Sequence, residues 1–430
     1  MGIINELTWR GLLKDTTLGL EDYIENNKII AYLGIDPTAD SMHVGHLAAL
    51  IVMKHLQNYG HKPIIVIGGA TGMVGDPSGK DEERPLLDEQ TIRKNEQALK
   101  EQIAKFLDFE ENKVNGAIML NNYDWTKDYT FLNFLRDIGK HITINYMMAK
   151  ESVKKRLEKG ISFTEFTYQL LQGYDFLYLY KNFNCKLQIG GSDQWGNITT
   201  GIELIRRKLG YENNAYGLVI PLITRSDGKK FGKSEEGMNI WLDAKRTSPY
   251  QFYQFWINTS DIDAQNYIKV FTFINQQEIN ELIEEHNKAP HLRILQRRLA
   301  EEMTRMVHGQ EELQKAIEAT SILFGKGTKE TLTQIDEQTF LTMFNGVPKF
   351  EISREILDNG IDIVSLLSEQ TKVFKSKGEV RRLIKEGGLN VNQEKVKTQE
   401  HIITTSDLLN DKYILVRKGK KKYFILISKL

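Results

Sequence analysis

The sequence predicts an α/β protein, in which a parallel-sheet region is followed by a helical region and a small α+β unit. In the first two hundred residues, short apolar runs alternate with segments of helical periodicity, an order typical of βαβ units. From residue 248 to about 324, glycine becomes sparse and helical patterns dominate. The chain ends in YILVRKGKKKYFILI, a pattern typical of a β-hairpin.

The individual strands and helices follow from length and spacing. KIIAYLGI, KPIIVIGGA and GAIMLNN are short, continuous apolar runs, as expected for strands buried on both faces. Helical periodicity predicts helices over 46–59, 89–107 and 165–183. The run KLQI predicts a further strand, which leads into a glycine-framed turn at 190–198, GGSDQWGNI.

These patterns divide the chain into four parts. We expect a parallel-sheet domain over residues 1–225 and a helical domain over 226–325. A linker is predicted over 326–350, because GKGTKETLTQIDEQ is polar and weakly patterned. The α+β unit then covers 351–430, where KVFKSKGEVRRLIKEGGLNVN predicts a basic helix, a glycine turn and a strand.

Composition predicts a cytoplasmic protein without membrane association. Hydrophobic residues make up 40% of the chain and charged residues 27%, as in ordinary globular proteins. No apolar run reaches the ~18 residues that a membrane span needs, and MGIINELTWRGLLKD does not resemble a signal peptide. The single cysteine, Cys185, excludes an intramolecular disulfide framework and a Cys-rich zinc site.

A net charge of zero hides an asymmetry along the chain. Residues 372–430 contain 15 Lys and Arg against 6 Asp and Glu, whereas the first 371 residues contain 42 against 51. A basic tail on an acidic body predicts contact with a polyanion. A solvated basic surface would have the same composition, so charge alone leaves both interpretations open.

The first chemical motif is DPTADSMHVGHL, at a predicted strand-to-helix turn. His43 and His46 could bind a metal, pack in a core or contact phosphate. A zinc site needs three or four ligands, and no further Cys or His lies at a suitable local spacing. A helix that opens with Gly45 directs backbone N–H groups towards an anion and leaves room for a nucleotide. We therefore favour phosphate binding and expect no tightly bound metal.

The second motif, DGKKFGKSEEG, contains Lys230, Lys233 and Ser234. Two lysines and a hydroxyl suit a triphosphate, although KKFGK alone is also typical of a solvated loop. Together, HVGH and KFGKS resemble the signature motifs of class I aminoacyl-tRNA synthetases, usually written HIGH and KMSKS. This chain has Val for Ile in the first motif and Phe-Gly for Met-Ser in the second, with the histidines, lysines and hydroxyl intact.

A third group of polar residues lies on the predicted helix 165–183. Tyr168, Gln172 and Asp175 are spaced i, i+4, i+7 and therefore share one face. An ordinary amphipathic helix would turn them towards water. Their neighbours are aromatic or apolar, however, so we expect burial, and a buried carboxylate needs a partner such as a ligand hydroxyl.

Over essentially the whole chain, the sequence resembles the bacterial tyrosyl-tRNA synthetase family. The segments that match in order and approximate spacing are YLGIDPTADSMHVGHL, GGATGMVGDPSGK, YQLLQGYDF, QIGGSDQWGNI and KFGKS. The resemblance implies a Rossmann-like catalytic domain, a helical domain and an S4-like RNA-binding domain. It also implies a homodimer that activates L-tyrosine with ATP and Mg²⁺ and transfers it to tRNA(Tyr). FLNFLRDIGKHITINYMM, within about 115–165, could form the dimer interface or a buried core helix.

The resemblance also implies residue roles. Tyr32 and Asp175 would bind the phenolic hydroxyl of tyrosine, and Asp76, Tyr168 and Gln172 its α-amino group. The ATP and adenylate site would be lined by Gly34, Asp36, Thr38, His43, Gly45, His46, Gly191, Asp193, Gln194 and Lys233. The catalytic residues, which would align the reactants and stabilise charge, would be Thr38, His43, His46, Lys230, Lys233 and Ser234. Lys80 and Arg84 would bind the pyrophosphate. RNA phosphates would meet Lys375, Lys377, Arg381, Arg382, Lys385, Arg417, Lys418 and Lys420.

Three other interpretations deserve comparison. A tryptophan-specific relative would not need the pair Tyr32 and Asp175, whereas rejecting phenylalanine requires polar groups that go unpaired without the hydroxyl; this enzyme class is the standard example. An RNA-binding protein that had lost catalysis would be free to lose the motif histidines and lysines. GGATGMVGDPSG spaces glycines like a dinucleotide fold but is not G-x-G-x-x-G.

Overall fold

The structure is a computed structural model, and its chain forms two compact units. It describes residues 2–78, 86–228, 231–233, 237–321, 328–344, 347–419 and 422–429. The first unit comprises Met1–Thr247 with Phe255–Val307, and the second comprises Ser248–Gln254 with His308–Leu430. The two units share the predicted helical domain, 226–325, between them. The four-part division of the chain stays a prediction.

The elements are numbered in chain order. The strands are β1 (Asp15–Thr16), β2 (Ile30–Ile35), β3 (Lys62–Ile67), β4 (Ile118–Asn121), β5 (Cys185–Gly191), β6 (Tyr216–Ile220), β7 (Lys349–Ser353), β8 (Ile361–Asp362), β9 (Leu389–Val391), β10 (Glu394–Lys395), β11 (Ile402–Ile403), β12 (Tyr413–Lys418) and β13 (Lys422–Lys429). The helices of the first half are α1 (Ile3–Arg10), α2 (Leu20–Asn26), α3 (Val44–Asn58), α4 (Glu89–Ile103), α5 (Tyr123–Thr126), α6 (Phe131–Asp137), α7 (Ile144–Met148), α8 (Glu151–Leu157), α9 (Phe163–Phe183) and α10 (Trp195–Leu209). Those of the second half are α11 (Pro249–Ile257), α12 (Asp261–Phe271), α13 (Gln276–Lys288), α14 (Ile294–His308), α15 (Gln310–Ser321), α16 (Lys329–Thr333), α17 (Glu337–Met343), α18 (Arg354–Asp358), α19 (Ile363–Ser365) and α20 (Lys377–Lys385).

The first unit is built around a six-stranded sheet with the order β1-β6-β5-β2-β3-β4. Strands β2 to β6 are parallel, and only the short edge strand β1 is antiparallel. The chain runs outwards from β2 in one direction and from β5 in the other, so the strand order reverses between them. Ligands bind at the carboxyl ends of strands at such a reversal. The predicted α/β fold with a Rossmann-like parallel sheet is confirmed.

Helices α3 and α9 both begin earlier than the sequence predicts, because polar residues cap them. His43 caps α3: its Nδ1 accepts from the Gly45 N–H at 3.1 Å, so the helix starts at Val44. Ser162 caps α9 by accepting from the Glu165 N–H at 3.1 Å. The close approach of α9 to α10 then places the polar face of α9 beside the end of β5. A Cβ on Gly173 would lie 3.5 Å from the Gly201 Cα.

The second unit contains a five-stranded sheet with the order β10-β9-β12-β13-β7. Strands β12 and β13 form the predicted antiparallel hairpin. Helix α20 and strand β9 are joined through Gly387, whose φ of 68° lies in the left-handed region that favours glycine. These elements match the predicted basic helix, glycine turn and strand.

The segment predicted as a linker, 326–350, contains helices α16 and α17. Their Leu332 and Phe340 are fully buried and pack in one cluster with Tyr413 and Ile425 of the hairpin. Residues 328–344 are thus part of the core of the second unit. Among the helices that the structure describes, none is long and apolar enough to cross a membrane.

Candidate active site

Polar residues follow the carboxyl ends of four parallel strands. Asp36 follows β2, Thr71 lies just after β3, Asn122 follows β4, and Asp193 follows β5. Because the carboxyl ends of parallel strands meet at the same edge of a sheet, these residues surround one crevice. The crevice lies where the strand order reverses.

Tyr32 and Asp175 are both buried, with 1% and 4% of their surfaces exposed. Among the described residues, the Tyr32 hydroxyl has no hydrogen-bond partner. Asp175 accepts from Asn122 Nδ2 at 2.9 Å and from Trp125 Nε1 at 2.8 Å. Burying a hydroxyl without a partner is costly, so the Tyr32 hydroxyl indicates a place for a polar atom of a ligand.

Electrostatics in this pocket depend on burial. Burial raises the pKa of Asp175 to about 7, against the hydrogen bonds from Asn122 and Trp125, which lower it. Burial and then the Asp175 carboxylate raise the pKa of Tyr32 well above its ordinary value. Tyr32 therefore stays a neutral hydroxyl that can donate one hydrogen bond.

Gln188 is a pocket residue that the sequence analysis missed. It pairs with Tyr32 in the register of β2 and β5, so the two side chains share one face of the sheet. It is 1% exposed, and its Oε1 has no partner among the described residues. Its signal in the sequence is a polar residue inside the apolar strand KLQI.

A second polar cluster forms around Asp76. Its Oδ2 accepts from Gln194 Nε2 at 2.6 Å, and its Oδ1 accepts from the Ser78 N–H at 3.0 Å. Asn197 Nδ2 lies 3.0 Å from Gln172 Oε1 and 3.3 Å from Asp76 Oδ1. The structure thus brings together three predicted residues, Asp76, Gln172 and Gln194, and adds Asn197.

Tyr168 connects the two predicted subsites. Its hydroxyl donates to Asp36 Oδ2 at 2.8 Å, and burial followed by the Asp36 charge raises its pKa well above the ordinary value. Thr71 Oγ1 donates to Asp36 Oδ1 at 2.7 Å and accepts from Asn122 Nδ2 at 3.0 Å. Asn122 also bonds Asp175, so one network of hydrogen bonds joins Asp36 to Asp175.

The HVGH segment forms the first turn of α3. The rings of His43 and His46 stack with their centroids 4.0 Å apart. His46 Nδ1 accepts from the His43 N–H at 3.2 Å, as His43 Nδ1 does from Gly45. A neutral ring that accepts at Nδ1 holds its proton at Nε2, where it can donate to an anion. A Cβ on Gly45 would lie 2.8 Å from the His43 ring, so the missing side chain leaves space for His43.

Within the KFGKS segment, the described residues 231–233 pack against the same turn of α3. Gly232 has a φ of 83°, and a Cβ there would lie 3.0 Å from the Val44 side chain. The Gly232 carbonyl accepts from the Ile240 N–H at 2.9 Å, and the Ile240 carbonyl accepts from the Val44 N–H at 2.9 Å. Lys233 is exposed, and its Nζ donates to the Gly237 carbonyl at 3.0 Å. The two motifs, almost two hundred residues apart in sequence, are neighbours in the fold.

Phe231 anchors this segment in an aromatic cluster. Its ring stacks on Phe271 at 5.1 Å and meets Tyr267 of the same helix, α12, edge-on at 4.9 Å. Phe255 and Trp256 of α11 lie within 6 Å of it. Phenylalanine in this motif is therefore explained by packing.

The remaining predicted residues have varied settings. Gly34 and Thr38 are exposed, and the Thr38 N–H donates to the Asp36 carbonyl at 2.9 Å. Gly191 allows the Asp193 carboxylate to lie close, because a Cβ there would meet Asp193 Oδ1 at 2.5 Å. Burial and then the Asp76 charge raise the pKa of Asp193. The predicted residues outside the described ranges are Lys80, Arg84, Lys230, Ser234 and Lys420.

The predicted RNA-contact residues of the second unit are partly engaged with acids. Lys377 pairs with Glu369 at 2.9 Å and Lys418 pairs with Glu379 at 2.8 Å. The exposed members of the set, as far as the structure describes it, are Lys375, Arg381, Arg382 and Lys385. Arg417 lies on β12 and is half-buried. Surface ion pairs are weak, so Lys377 and Lys418 could leave their glutamate partners and bind phosphates instead.

Within the described residues, no three His, Cys, Asp or Glu side chains are grouped so that they could hold a metal ion. The absence of a tightly bound metal stays a prediction.

Two family models match the chain. Residues 25–325 match the family described as tRNA synthetases class I (W and Y). Residues 339–426 match the Tyrosine–tRNA ligase SYY-like C-terminal domain. The first match spans the parallel strands β2 to β6 and both motifs, and the second falls within the second unit.

Individual relatives agree with these matches. A tyrosine–tRNA ligase from Bacteroides fragilis is 58% identical over 433 residues, with both chains covered completely. One from Flavobacterium johnsoniae is 55% identical and covers 99% of each chain. The solved structure of a C-terminally truncated mitochondrial tyrosyl-tRNA synthetase from Aspergillus nidulans is 32% identical, covers 75% of this chain and 94% of its own, and has a TM-score of 0.66. The chain therefore belongs to the tyrosine–tRNA ligase family of class I aminoacyl-tRNA synthetases, as its motifs predicted.

Proposed function

We propose that this chain activates L-tyrosine with Mg²⁺-bound ATP and then transfers the tyrosine to the 3′ end of tRNA(Tyr), in the cytoplasm. The observation that supports tyrosine best is the unpaired, buried hydroxyl of Tyr32 in the pocket of Asp175. Family membership supports the reaction itself. Tyrosine-dependent exchange of pyrophosphate into ATP is the test. Exchange driven by tryptophan instead would contradict the assignment.

The phenolic end of tyrosine is assigned to Tyr32 and Asp175. Each Asp175 oxygen accepts one hydrogen bond from the protein, and a carboxylate oxygen can accept a second. The phenol could thus donate to Asp175 and accept from Tyr32. Phenylalanine would leave both groups without their partner, which is the basis for rejecting it.

The α-amino group is assigned to the cluster of Asp76, Gln172 and Tyr168. Asp76 and Gln172 present oxygens that share Asn197 as a donor. Tyr168 connects this cluster to Asp36 at the end of β2. These contacts support a substrate that lies across the carboxyl ends of the strands.

ATP is assigned to the β2–α3 turn, residues 36–43, and to the first turn of α3. The N–H groups at the start of α3 favour an anion there, and His43 and His46 add two ring donors. The carboxylate of tyrosine is itself the nucleophile, so the protein aligns the reactants and stabilises charge on the departing pyrophosphate. Lys233 lies in the segment packed on this turn. Roles for Lys80, Arg84, Lys230 and Ser234 remain proposals from the motifs.

Replacing Asp175 by alanine tests the specificity assignment. We expect kcat/KM for tyrosine to fall about 10- to 100-fold, because a charge-assisted hydrogen bond is lost. The KM for ATP should stay nearly constant, since ATP is assigned to another part of the crevice. Pyrophosphate exchange at varied tyrosine and ATP measures both. Unchanged tyrosine kinetics would remove Asp175 from the tyrosine site.

We also propose a homodimer formed through α6, α7 and the start of α9. Large apolar side chains are exposed there: Phe131 (64%), Leu132 (75%), Ile144 (64%) and Phe163 (65%). Such a concentration of exposed apolar surface is typical of an interface, and it lies within the predicted range 115–165. The exposure favours the interface over the core-helix interpretation.

Sedimentation of Leu132→Asp tests the dimer. A charge in an apolar interface should shift the protein towards monomers. Val114→Asp is the matched control, because Val114 is 94% exposed but lies outside these helices. Monomeric wild-type protein, or equal effects of the two variants, would contradict the proposed interface.

A further inference from the structure

Helix α4 has two buried amide side chains on one face. Asn95 and Gln102 are seven residues apart, which places them above one another on the helix. They are only 5% and 7% exposed. Buried amides need hydrogen-bond partners, and both find theirs in the same loop.

That loop is the β2–α3 turn. Asn95 Nδ2 donates to the Pro37 carbonyl at 2.9 Å. Gln102 Oε1 accepts from the Met42 N–H at 3.0 Å, and its Nε2 lies 3.3 Å from the Asp40 carbonyl. One amide therefore holds the beginning of the turn and the other holds its end.

The backbone of Met42 is held on both sides of its Cα. Its N–H is bound by Gln102, and its carbonyl accepts from the Leu242 N–H at 2.8 Å. Leu242 follows the KFGKS segment in sequence, and Met42 precedes His43, the cap of α3. Gln102 is thus the side chain through which α4 orients the start of α3.

We propose that Asn95 and Gln102 are positioning residues for adenylate formation. They hold the backbone of the β2–α3 turn so that the turn and the His43 cap meet ATP in a fixed geometry. Catalysis by alignment is sensitive to displacements of about 1 Å, and loss of either amide would free one end of the turn. This inference rests on the proposed function, because it assumes that ATP binds at this turn.

Gln102→Met tests the proposal, since it keeps the length of the side chain and removes both polar atoms. We expect kcat/KM for ATP in tyrosine-dependent pyrophosphate exchange to fall by about 10- to 100-fold. The dissociation constant for tyrosine without ATP should change less than about twofold, because the hydrogen bonds that the described residues make with both amides come from residues 37–42 and not from those assigned to tyrosine. Asn95→Leu removes a single bond and should give a smaller effect of the same kind.

Gln57→Met is the matched control. Gln57 is also a buried glutamine, 5% exposed, whose amide bonds loop backbone. Its Nε2 donates to the Asp108 carbonyl at 2.7 Å and its Oε1 accepts from the Asp108 N–H at 3.0 Å, in a loop away from the turn. This variant should lower the melting temperature about as much as Gln102→Met and leave ATP kinetics unchanged.

The outcomes separate the two proposals. If wild-type protein is active, and Gln102→Met and Asn95→Leu affect ATP kinetics no more than Gln57→Met does, the amides have only a structural role and the inference is wrong. The proposed function then stands. If wild-type protein shows no tyrosine-dependent exchange, the proposed function fails and this inference fails with it. If Gln102→Met does not fold, Asn95→Leu alone decides between the positioning and the structural role.

Discussion

At the scale of single residues, Asp175 is a carboxylate whose protonation depends on the fold. Its pKa is raised to about 7 by burial, whereas an exposed Asp has a pKa near 4. Between these values the native chain keeps a proton that the unfolded chain releases. Asp175 therefore contributes less to stability as the pH rises from about 4 to about 7, and the loss is complete above the native pKa.

Comparison with Asp175→Asn tests this linkage, because asparagine does not titrate. We expect the free energy of unfolding of wild-type protein, relative to the variant, to fall as pH rises from about 4 to about 7, by at most ~4 kcal/mol. Urea unfolding at several pH values measures the difference. A difference independent of pH would contradict the raised pKa.

Single polar residues were also the hardest to predict from sequence. Asn122 and Trp125 lie outside the quoted motifs, and Gln188 and Asn197 lie inside QIGGSDQWGNI without a spacing that marks them as site residues. Asn122 and Asn197 each hydrogen-bond to several polar side chains, because the sheet places Asn122 beside Asp175 and α10 places Asn197 beside Asp76. A usable signal existed for Asn122, since it is the last residue of the predicted strand GAIMLNN, much as Asp36 directly follows the predicted strand KIIAYLGI.

At the scale of elements, the sequence patterns located strands β2 to β5 and placed helices α3, α4 and α9 to within four residues of their bounds. Helix α4 was predicted over 89–107 and ends at Ile103. Its register alone did not show that Asn95 and Gln102 are buried, because amide side chains resemble a solvated face. The motifs predicted that HVGH and KFGKS act together. Their contact through Gly232 depends on tertiary structure.

Gly232→Ala tests that contact between elements. The left-handed backbone costs roughly 1 to 2 kcal/mol for an alanine, and the new Cβ would press on Val44 at 3.0 Å. We expect kcat for pyrophosphate exchange to fall about tenfold or more, with tyrosine binding retained.

Gly228→Ala is the control for backbone strain. Gly228 has a similar φ of 78°, but a Cβ there would meet no atom of the described residues within 4 Å. It should affect exchange much less than Gly232→Ala. Equal effects would mean that the contact with α3 has no role in activity.

At the scale of the whole molecule, the core of the second unit includes residues from the segment 326–350. Phe340 packs on Tyr413 at 5.2 Å, and Phe344 packs on Tyr423 at 5.3 Å. Helices α16 and α17 contain too few apolar residues to reveal this core in sequence. A chain that ends at residue 350 would therefore keep Phe340 and Phe344 but lose their partners Tyr413 and Tyr423.

Two truncations test this boundary. A chain ending at Ser321 should keep tyrosine-dependent pyrophosphate exchange and lose tRNA charging, because the proposed RNA surface lies in the second unit. A chain ending at residue 350 should aggregate more readily, since Phe340 and Phe344 become exposed. Pyrophosphate exchange and tRNA charging measure the two activities of each truncated chain, and gel filtration measures its aggregation. Equal loss of exchange and charging in the shorter chain would contradict the separation of roles.

The cluster around Asn197 has a consequence for what can bind there. Its Nδ2 lies within 3.4 Å of four oxygens, on Asp76, Ser78, Gln172 and Gln194, but it has only two hydrogens to donate. Asn197 therefore cannot serve all four oxygens at once, and a ligand with several N–H groups could donate further hydrogen bonds to them. An ammonium group has three such hydrogens and a positive charge. This pocket should therefore discriminate against a hydroxy acid that is otherwise identical to tyrosine.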